Sequence, residues 1–283
     1  MTLLQAFILG IVQGITEFLP ISSSGHLVIG QHLFGLHYAD LAFDVSVHVG
    51  TLGAVVIFFR RDITAILTAL RRYRPSWRPQ ALKMLLTPGG PDGEVRLAAL
   101  VILGSIPTAL IGLALKYYED TLFASPLIAG IMLLVTGGVL YLTRRAQNRS
   151  QAYPAATRPV AAISVWDSLL VGIVQGLAVM PGISRSGTTI AAGLFAGIEP
   201  QAAARFSFLL SIPTVAGAAL LVLFEAITQG QIDATTCLTG GLTALIVGYA
   251  ALAILVYLIN RGKLYVFAPY CGIVGAAAIA LGW

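Results

Sequence analysis

Apolar residues in this chain gather into long unbroken runs, not into the alternating or three-to-four spacing of a half-buried strand or surface helix. A run of about 20 such residues is long enough to cross the hydrocarbon core of a bilayer as a helix. Runs of this kind occupy about 41–59, 97–115, 127–143, 203–225, 236–259 and 265–282, which predicts six transmembrane helices. Two further segments, about 6–30 and 168–192, begin apolar, break at Pro20 and at Pro181-Gly182, pass through small polar residues and turn apolar again. Proline removes a backbone donor, and irregular backbone is tolerated at membrane depth only where protein or a water-filled cavity surrounds it. These two segments are therefore expected to be re-entrant helix-loop-helix hairpins. The expected fold is all-α, a polytopic membrane protein.

The two broken segments are also copies of one another. Gly10-Ile11-Val12-Gln13-Gly14 recurs as Gly172-Ile173-Val174-Gln175-Gly176, and Ile21-Ser22-Ser23-Ser24-Gly25 aligns without a gap with Ile183-Ser184-Arg185-Ser186-Gly187. Nine of the sixteen positions from Gly10 to Gly25 are identical at a constant offset of 162 residues. A duplicated half is the better account than chance. We read residues 1–283 as a single membrane domain, with 1–160 the first repeat and 161–283 the second. One hairpin and three crossings per half place the second copy upside down relative to the first.

Loop charge sets the orientation. Residues 60–96 carry Arg60, Arg61, Arg71, Arg72, Arg74, Arg78, Lys83 and Arg96; residues 144–158 carry Arg144, Arg145, Arg149 and Arg158; Arg261 and Lys263 lie in a third basic connection. These are expected on the cytoplasmic side. The connections with Lys116, Glu119 and Asp120, and with Glu225 and Asp233, should face outward. One hairpin then enters from each side, and their tips meet near the middle of the bilayer. The stretch from about Arg71 to Glu94 reads as a surface loop, with room for a short interfacial helix, and Arg144 to Pro159 as the linker between halves.

Composition agrees: 57% of residues are hydrophobic and 10% charged, against about 25% charged in soluble domains. The net charge of +5 does not point to nucleic acid, because the basic residues flank apolar segments. Cys237 and Cys271 stand in apolar stretches without metal-ligand spacing and read as small packing residues. The N-terminus has neither a basic n-region nor a small-residue cleavage site, so no cleaved signal peptide is expected.

The chemistry concentrates in the hairpins. Gln13 and Glu17 are four residues apart and share one helix face, and Ser22, Ser23, Ser24, Gly25 and His26 follow the Pro20 break. An ionised carboxylate inside a membrane costs about 2.5–3.5 kcal/mol on insertion scales and usually faces a cavity and a partner. The second hairpin supplies Ser184, Arg185, Ser186, Gly187, Thr188 and Thr189, with Arg185 aligned to Ser23, Thr188 to His26 and Val179 to Glu17. Arg185 could serve only to neutralise Glu17, but a bare ion pair does not require the surrounding glycines and hydroxyls. Serine- and glycine-rich helix N-termini bind phosphate oxygens, and a guanidinium adds a bidentate fork. The expected phosphate-binding set is Ser22, Ser24, Gly25, Ser184, Ser186, Gly187 and Thr189. A diphosphate carries roughly three negative charges, so a divalent cation, Mg²⁺ or Ca²⁺, is expected on Glu17 and the Gln13 carbonyl. Ser23 is the favoured nucleophile with His26 as general acid/base; the reverse assignment stays open. His48 reads as a satisfied packing histidine, His32 and His37 as interfacial, and Arg205 as a snorkelling anchor. Ser105-Ile106-Pro107-Thr108 and Ser211-Ile212-Pro213-Thr214 read as proline kinks lining the cavity.

The run from Gln13 to His26 and the run Pro181 to Thr189 closely resemble the two signature motifs of the undecaprenyl-diphosphatase, or bacitracin-resistance, family. Phe206-Ser207-Phe208-Leu209-Leu210 with Pro213 resembles a third, and the similarity extends over essentially the whole chain. The resemblance implies removal of the terminal phosphate from undecaprenyl diphosphate at the outer face of a bacterial inner membrane, recycling the carrier lipid for peptidoglycan synthesis. It also implies that the family's acidic pair falls on Gln13 and Glu17, its serine and histidine on Ser23 and His26, and its arginine on Arg185. Many members have Glu where this chain has Gln13, and often an arginine where Cys271 follows Tyr270. An unrelated group of lipid phosphatases that also uses a Ser-Gly-His run needs a second histidine after a Ser-Arg motif; none follows Ser184-Arg185 here. The expected partners are the lipid substrate and membrane lipids, not nucleic acid, with a homodimer admitted. The rival reading is a polyprenyl-phosphate flippase, since inverted repeats with broken helices are the usual plan of secondary transporters.

Overall fold

A computed structural model describes residues 1–36, 41–73, 93–118, 125–152, 155, 157–229 and 233–280. The chain is built of helices: α1 (Leu3–Phe18), α2 (Ser23–Leu33), α3 (Leu41–Phe58), α4 (Arg60–Arg72), α5 (Gly93–Lys116), α6 (Pro126–Ala152), α7 (Val165–Leu177), α8 (Arg185–Phe195), α9 (Pro200–Gln229), α10 (Ala234–Asn260) and α11 (Ala268–Ala280). Short 3₁₀ turns lie at Val160–Ala162 and Leu264–Phe267.

Four helices are long and apolar enough to cross a membrane by themselves: α5, α6 over Leu127–Ser150, α9 over Pro200–Leu221, and α10. A fifth span is counted if α3 and α4 are taken together, although they bend by 73° at Phe59. The run expected at 265–282 forms the shorter apolar helix Leu264–Ala280. The bend after α3 has a local cause: Arg60 and Arg61 resist entering hydrocarbon, and the Arg60 guanidinium donates to the Ile57 carbonyl at 3.0 Å, satisfying a carbonyl at the end of α3.

Two connections are more helical than the sequence reading allowed. Arg60–Arg72 is an amphipathic helix with no fully buried residue, its Ile63 and Ile66 turned to the core. The charges in this segment masked the 3.6-residue apolar spacing. The expected loop over 71–94 lies largely outside the described residues, as do His37, Glu119 and Asp120. Helix α6 runs on through most of the expected linker, carrying Arg144, Arg145 and Arg149. Buried Gln147 explains the extension, because its side-chain oxygen accepts from the backbone N–H of Leu264 at 3.2 Å and ties α6 to the turn before α11.

Both broken segments are built alike down to their caps. Thr2 and Gln5 form a capping box ahead of α1; Ser164 and Asp167, each 162 residues further on, form one ahead of α7. The second helices, α2 and α8, begin and end at the same offset. Each first helix lies against a long helix from the opposite half of the chain, α1 on α10 and α7 on α5. The small-residue spacing Gly10/Gly14 meets Gly240, Ala244 and Gly248, and Gly172/Gly176 meets Gly104 and Ile111. A Cβ on Gly172 would run into the carbonyl of Gly104. The duplicated Gly-Ile-Val-Gln-Gly motif is thus a close-packing device as well as a carrier of glutamine.

Polar pins secure one end of the bundle. Arg205 is not a free snorkelling anchor: its Nε lies 2.5 Å from Asp62 Oδ1 and its Nη2 3.3 Å from Glu94, joining α9 to α4 and α5. Arg158 holds Asp167 through two nitrogens at 2.7 and 2.8 Å and also donates to the Ala196 carbonyl. Buried Arg96 donates to the carbonyls of Ala161 and Ile163.

Candidate active site

The site forms where the break of the first hairpin meets the start of α8. The 3.6-residue repeat of α1 places Gln13 one turn before Glu17, and Gln13 Nε2 donates to Glu17 Oε2 at 3.0 Å. After Pro20 the chain turns through Ser22, whose φ of +70° makes it the one non-glycine residue with positive φ among those described. That turn brings Ser23, the first residue of α2, back toward the end of α1, where its hydroxyl donates to Glu17 Oε2 at 2.5 Å. Across the interface, Arg185 Nη2 lies 3.0 Å from Glu17 Oε1. The carboxylate is thereby gripped on one oxygen by the guanidinium of the second hairpin and on the other by Ser23 and Gln13. A buried carboxylate is tolerable only with such partners.

The two breaks are held by matching contacts. On α8, the Ser186 hydroxyl donates to the Phe18 carbonyl at 2.9 Å, and a Cβ on Gly187 would press on Pro20 at 2.9 Å. Gly182 needs its φ of +92°, and its carbonyl accepts from Thr136 on α6 at 2.9 Å. The aligned carbonyl in the first hairpin, that of Pro20, accepts from the Cys271 thiol on α11 at 3.5 Å. Thr188 donates to the Ser184 carbonyl at 2.7 Å, and its counterpart His26 uses Nδ1 on the Ser22 carbonyl at 2.8 Å.

The N-termini of the second helices differ in one respect. Ser184 caps α8 by accepting from the Gly187 N–H, whereas the Ser22 side chain makes no such cap on α2 and instead lies 3.3 Å from the Ser24 hydroxyl. The first amides of α2, including that of buried Gly25, are therefore the better provided to meet an anion. In the second hairpin the hydroxyls are engaged with protein: Ser184 with Ser186 at 3.3 Å, and Thr189 with the Arg185 carbonyl at 2.6 Å and the Ser207 hydroxyl at 2.5 Å.

A narrow cleft, partly open to the outside, reaches Glu17, Arg185 and Ser186 between α3 and α9, with Thr51, Leu52, Val55, Ser207, Phe208, Ser211 and Val215 as walls. Ser211 lines it as expected of its proline kink. The matching segment on α5 packs on α7 instead, where Thr108 donates to the Gly172 carbonyl at 2.7 Å and accepts from Gln175.

Two residues at the site escaped the sequence reading. His48 donates through Nδ1 to the Asp44 carbonyl, as a packing histidine would, but its Nε2 lies 3.9 Å from Glu17 Oε2. Its spacing on an apolar helix held no sign of this. Tyr270 meets His26 Nε2 at 2.8 Å from 244 residues away, a pairing that no local pattern signals.

Among the described residues no group of three or more His, Cys, Asp and Glu side chains forms a protein-only metal cage. One observation does fit a hard cation shared with a substrate: Gln13 Oε1 is buried, without a hydrogen-bond partner, on the side chain that touches Glu17.

The fold and this site define a multi-pass α-helical membrane protein with a carboxylate, guanidinium and serine hydroxyl joined at two helix breaks. The chain belongs to the family described as bacitracin resistance protein BacA, which matches residues 6–277. It is similar to proteins named undecaprenyl-diphosphatase along its whole length. That of Desulforapulum autotrophicum is 49% identical over 283 residues, covering 100% of this chain and 99% of the relative. Those of Desulfosudis oleivorans and Methanosphaera stadtmanae are 46% and 41% identical, each covering 99% of this chain and 98% of the relative.

Proposed function

We infer that this chain is an undecaprenyl-diphosphatase, a membrane hydrolase that converts undecaprenyl diphosphate to undecaprenyl phosphate and inorganic phosphate and confers bacitracin resistance. The observation that carries the chemistry is the junction at Glu17, which receives Ser23 at 2.5 Å and Arg185 at 3.0 Å from different hairpins.

In the proposed mechanism Glu17 already accepts the Ser23 proton as a hydrogen bond, so it is the base. Ser23 Oγ attacks the terminal phosphorus; the bond from phosphorus to the bridging oxygen breaks, and undecaprenyl phosphate leaves with its electron pair. Arg185 moves part of its hydrogen bonding from Glu17 to the phosphoryl oxygens, which both stabilises their charge and frees Glu17 to take the proton. Water then attacks the phosphoserine and His26 takes one of its protons; the bond from phosphorus to Ser23 Oγ breaks, Glu17 returns its proton to Oγ, and inorganic phosphate leaves. The uncapped amides of α2 and the hydroxyls of Ser22 and Ser24 orient the phosphates, with Ser184, Ser186, Gly187 and Thr189 shaping the facing wall. A divalent cation, Mg²⁺ or Ca²⁺, would be held by Glu17 and the Gln13 carbonyl, and when bound it supplies the positive charge that a single arginine lacks against a diphosphate.

Purified protein in detergent, given polyprenyl diphosphate and a divalent salt, should release phosphate through a trapped adduct that is stable in acid and labile in base. An acid-labile, base-stable adduct would move the nucleophile to His26. A protein that moves the lipid across liposomes while releasing no phosphate would be a flippase, and the hydrolase reading would fall.

The proposed topology is an inverted repeat, 1–160 and 161–283, with re-entrant hairpins at about 6–30 and 168–192 and Leu264–Ala280 as the sixth crossing. It is supported by the shared offset of the two capping boxes and of both ends of α2 and α8, and by the exchanged packing of α1 on α10 and α7 on α5. The site then opens to the outer face of a bacterial inner membrane, where the product rejoins the carrier-lipid pool for peptidoglycan synthesis. Single cysteines at Arg61 and Arg145 should react with membrane-impermeant maleimide only in inverted vesicles, and one at Lys116 only in intact cells; the opposite pattern refutes this orientation.

A further inference from the structure

We propose that Tyr270 is a positioning residue for His26, holding the imidazole in one tautomer and one plane from the far end of the chain. The proposal rests on the diphosphatase reading for its effect on rate, but not for the contact itself.

His26 Nδ1 lies 2.8 Å from the Ser22 carbonyl, and a carbonyl can only accept, so Nδ1 carries the proton. In the neutral ring Nε2 is then the acceptor, and the hydroxyl that meets it at 2.8 Å, that of Tyr270, is the donor. The two rings lie within 12° of parallel with centroids 5.7 Å apart. Tyr270 is 43% exposed, so burial does not oblige its hydroxyl to find a protein partner. Nε2 is the nitrogen left to take a proton in the reaction: Tyr270 holds it in the resting protein, and when the hydroxyl turns to release that lone pair, the new Nε2–H can donate back to the Tyr270 oxygen.

The backbone of the first hairpin is arranged for the same end. Ser22 adopts φ +70°, a region costly to a residue with a Cβ, while its aligned counterpart Ser184 sits at an ordinary −78°. Besides the backbone N–H four residues on, the Ser184 carbonyl accepts the small hydroxyl of Thr188, whereas the Ser22 carbonyl accepts an imidazole. Strain therefore appears in the half that must aim a ring. Helix α11 braces that half at two successive residues, Tyr270 on His26 and Cys271 on the Pro20 carbonyl.

Tyr270→Phe removes the hydroxyl and keeps the ring. We expect kcat for phosphate release to fall about 10-fold or more, a part of the roughly 10²–10⁴ that a positioned acid or base contributes, with KM within about twofold. On a His26→Gln background the same change should have no further effect, because its action passes through His26. Nitrogen-15 spectra of histidine-labelled wild type, with His26→Gln to assign the signal, should show His26 protonated at Nδ1, and Tyr270→Phe should shift its Nε2 resonance. A kcat within twofold of wild type, an equal loss on both backgrounds, or a His26 protonated at Nε2 in the wild type would each overturn the proposal. The wild-type spectrum reads the contact even if the variant does not fold. A wild type that releases no phosphate yet shows the Nδ1-protonated ring would sink the diphosphatase reading and leave the contact standing.

Discussion

Arg185→Ala is expected to lower phosphate release by about 10³-fold, the size of effect seen when a charged group aimed at the transition state is removed from a water-poor site. Arg185 is the cation that bridges the hairpins, pairing with Glu17 at 3.0 Å in the resting protein. Its loss removes the fork meant for the phosphoryl oxygens and leaves a buried carboxylate without its counter-charge, so the melting temperature should also fall. Arg185→Lys restores a charge but not the planar fork, and should recover only part of the rate. Steady-state assays beside a size-exclusion profile separate the catalytic loss from misfolding. An alanine variant that keeps its shape and stays within tenfold of wild type would mean that Arg185 only neutralises Glu17.

Glu17→Gln should be as damaging, about 10³-fold in kcat, while disturbing the packing least. The amide matches the carboxylate in size and can still accept from Ser23, but it cannot take a proton from it. Because Glu17 and Arg185 act on one another and on the same phosphate, the double variant should be far less impaired than the product of the two single losses. Multiplicative losses in that cycle would place the two side chains in separate roles and contradict the shared mechanism.

Much of this design could be read before any coordinates. The apolar runs, the breaks at Pro20 and Pro181-Gly182 and the repeat at offset 162 follow from local chemistry. A residue's cost in hydrocarbon and a proline's missing amide hydrogen do not depend on distant partners. The same logic singled out Glu17 and Arg185, because charges inside apolar surroundings demand each other, and the two are brought to 3.0 Å. The helix at Arg60–Arg72 was obscured because the charges at both of its ends suggested a loop. The extension of α6 was obscured because the tie from Gln147 to Leu264 spans 117 residues.

By itself, then, the sequence determined that the chain lives in a membrane, where its helices break, that the two broken segments repeat one another and which charged groups must find each other. Only the tertiary structure decided that Ser23 gives its hydrogen bond to Glu17, that Arg205 is pinned by Asp62 and Glu94, and that His26 is held by a tyrosine from α11. The reason is physical. Transfer into lipid is a property of each residue, whereas these pairings depend on where helices far apart in the chain cross. Those crossings are set by the close approach of small residues such as Gly10 to Gly240 and Gly172 to Gly104, which act only once the helices are side by side.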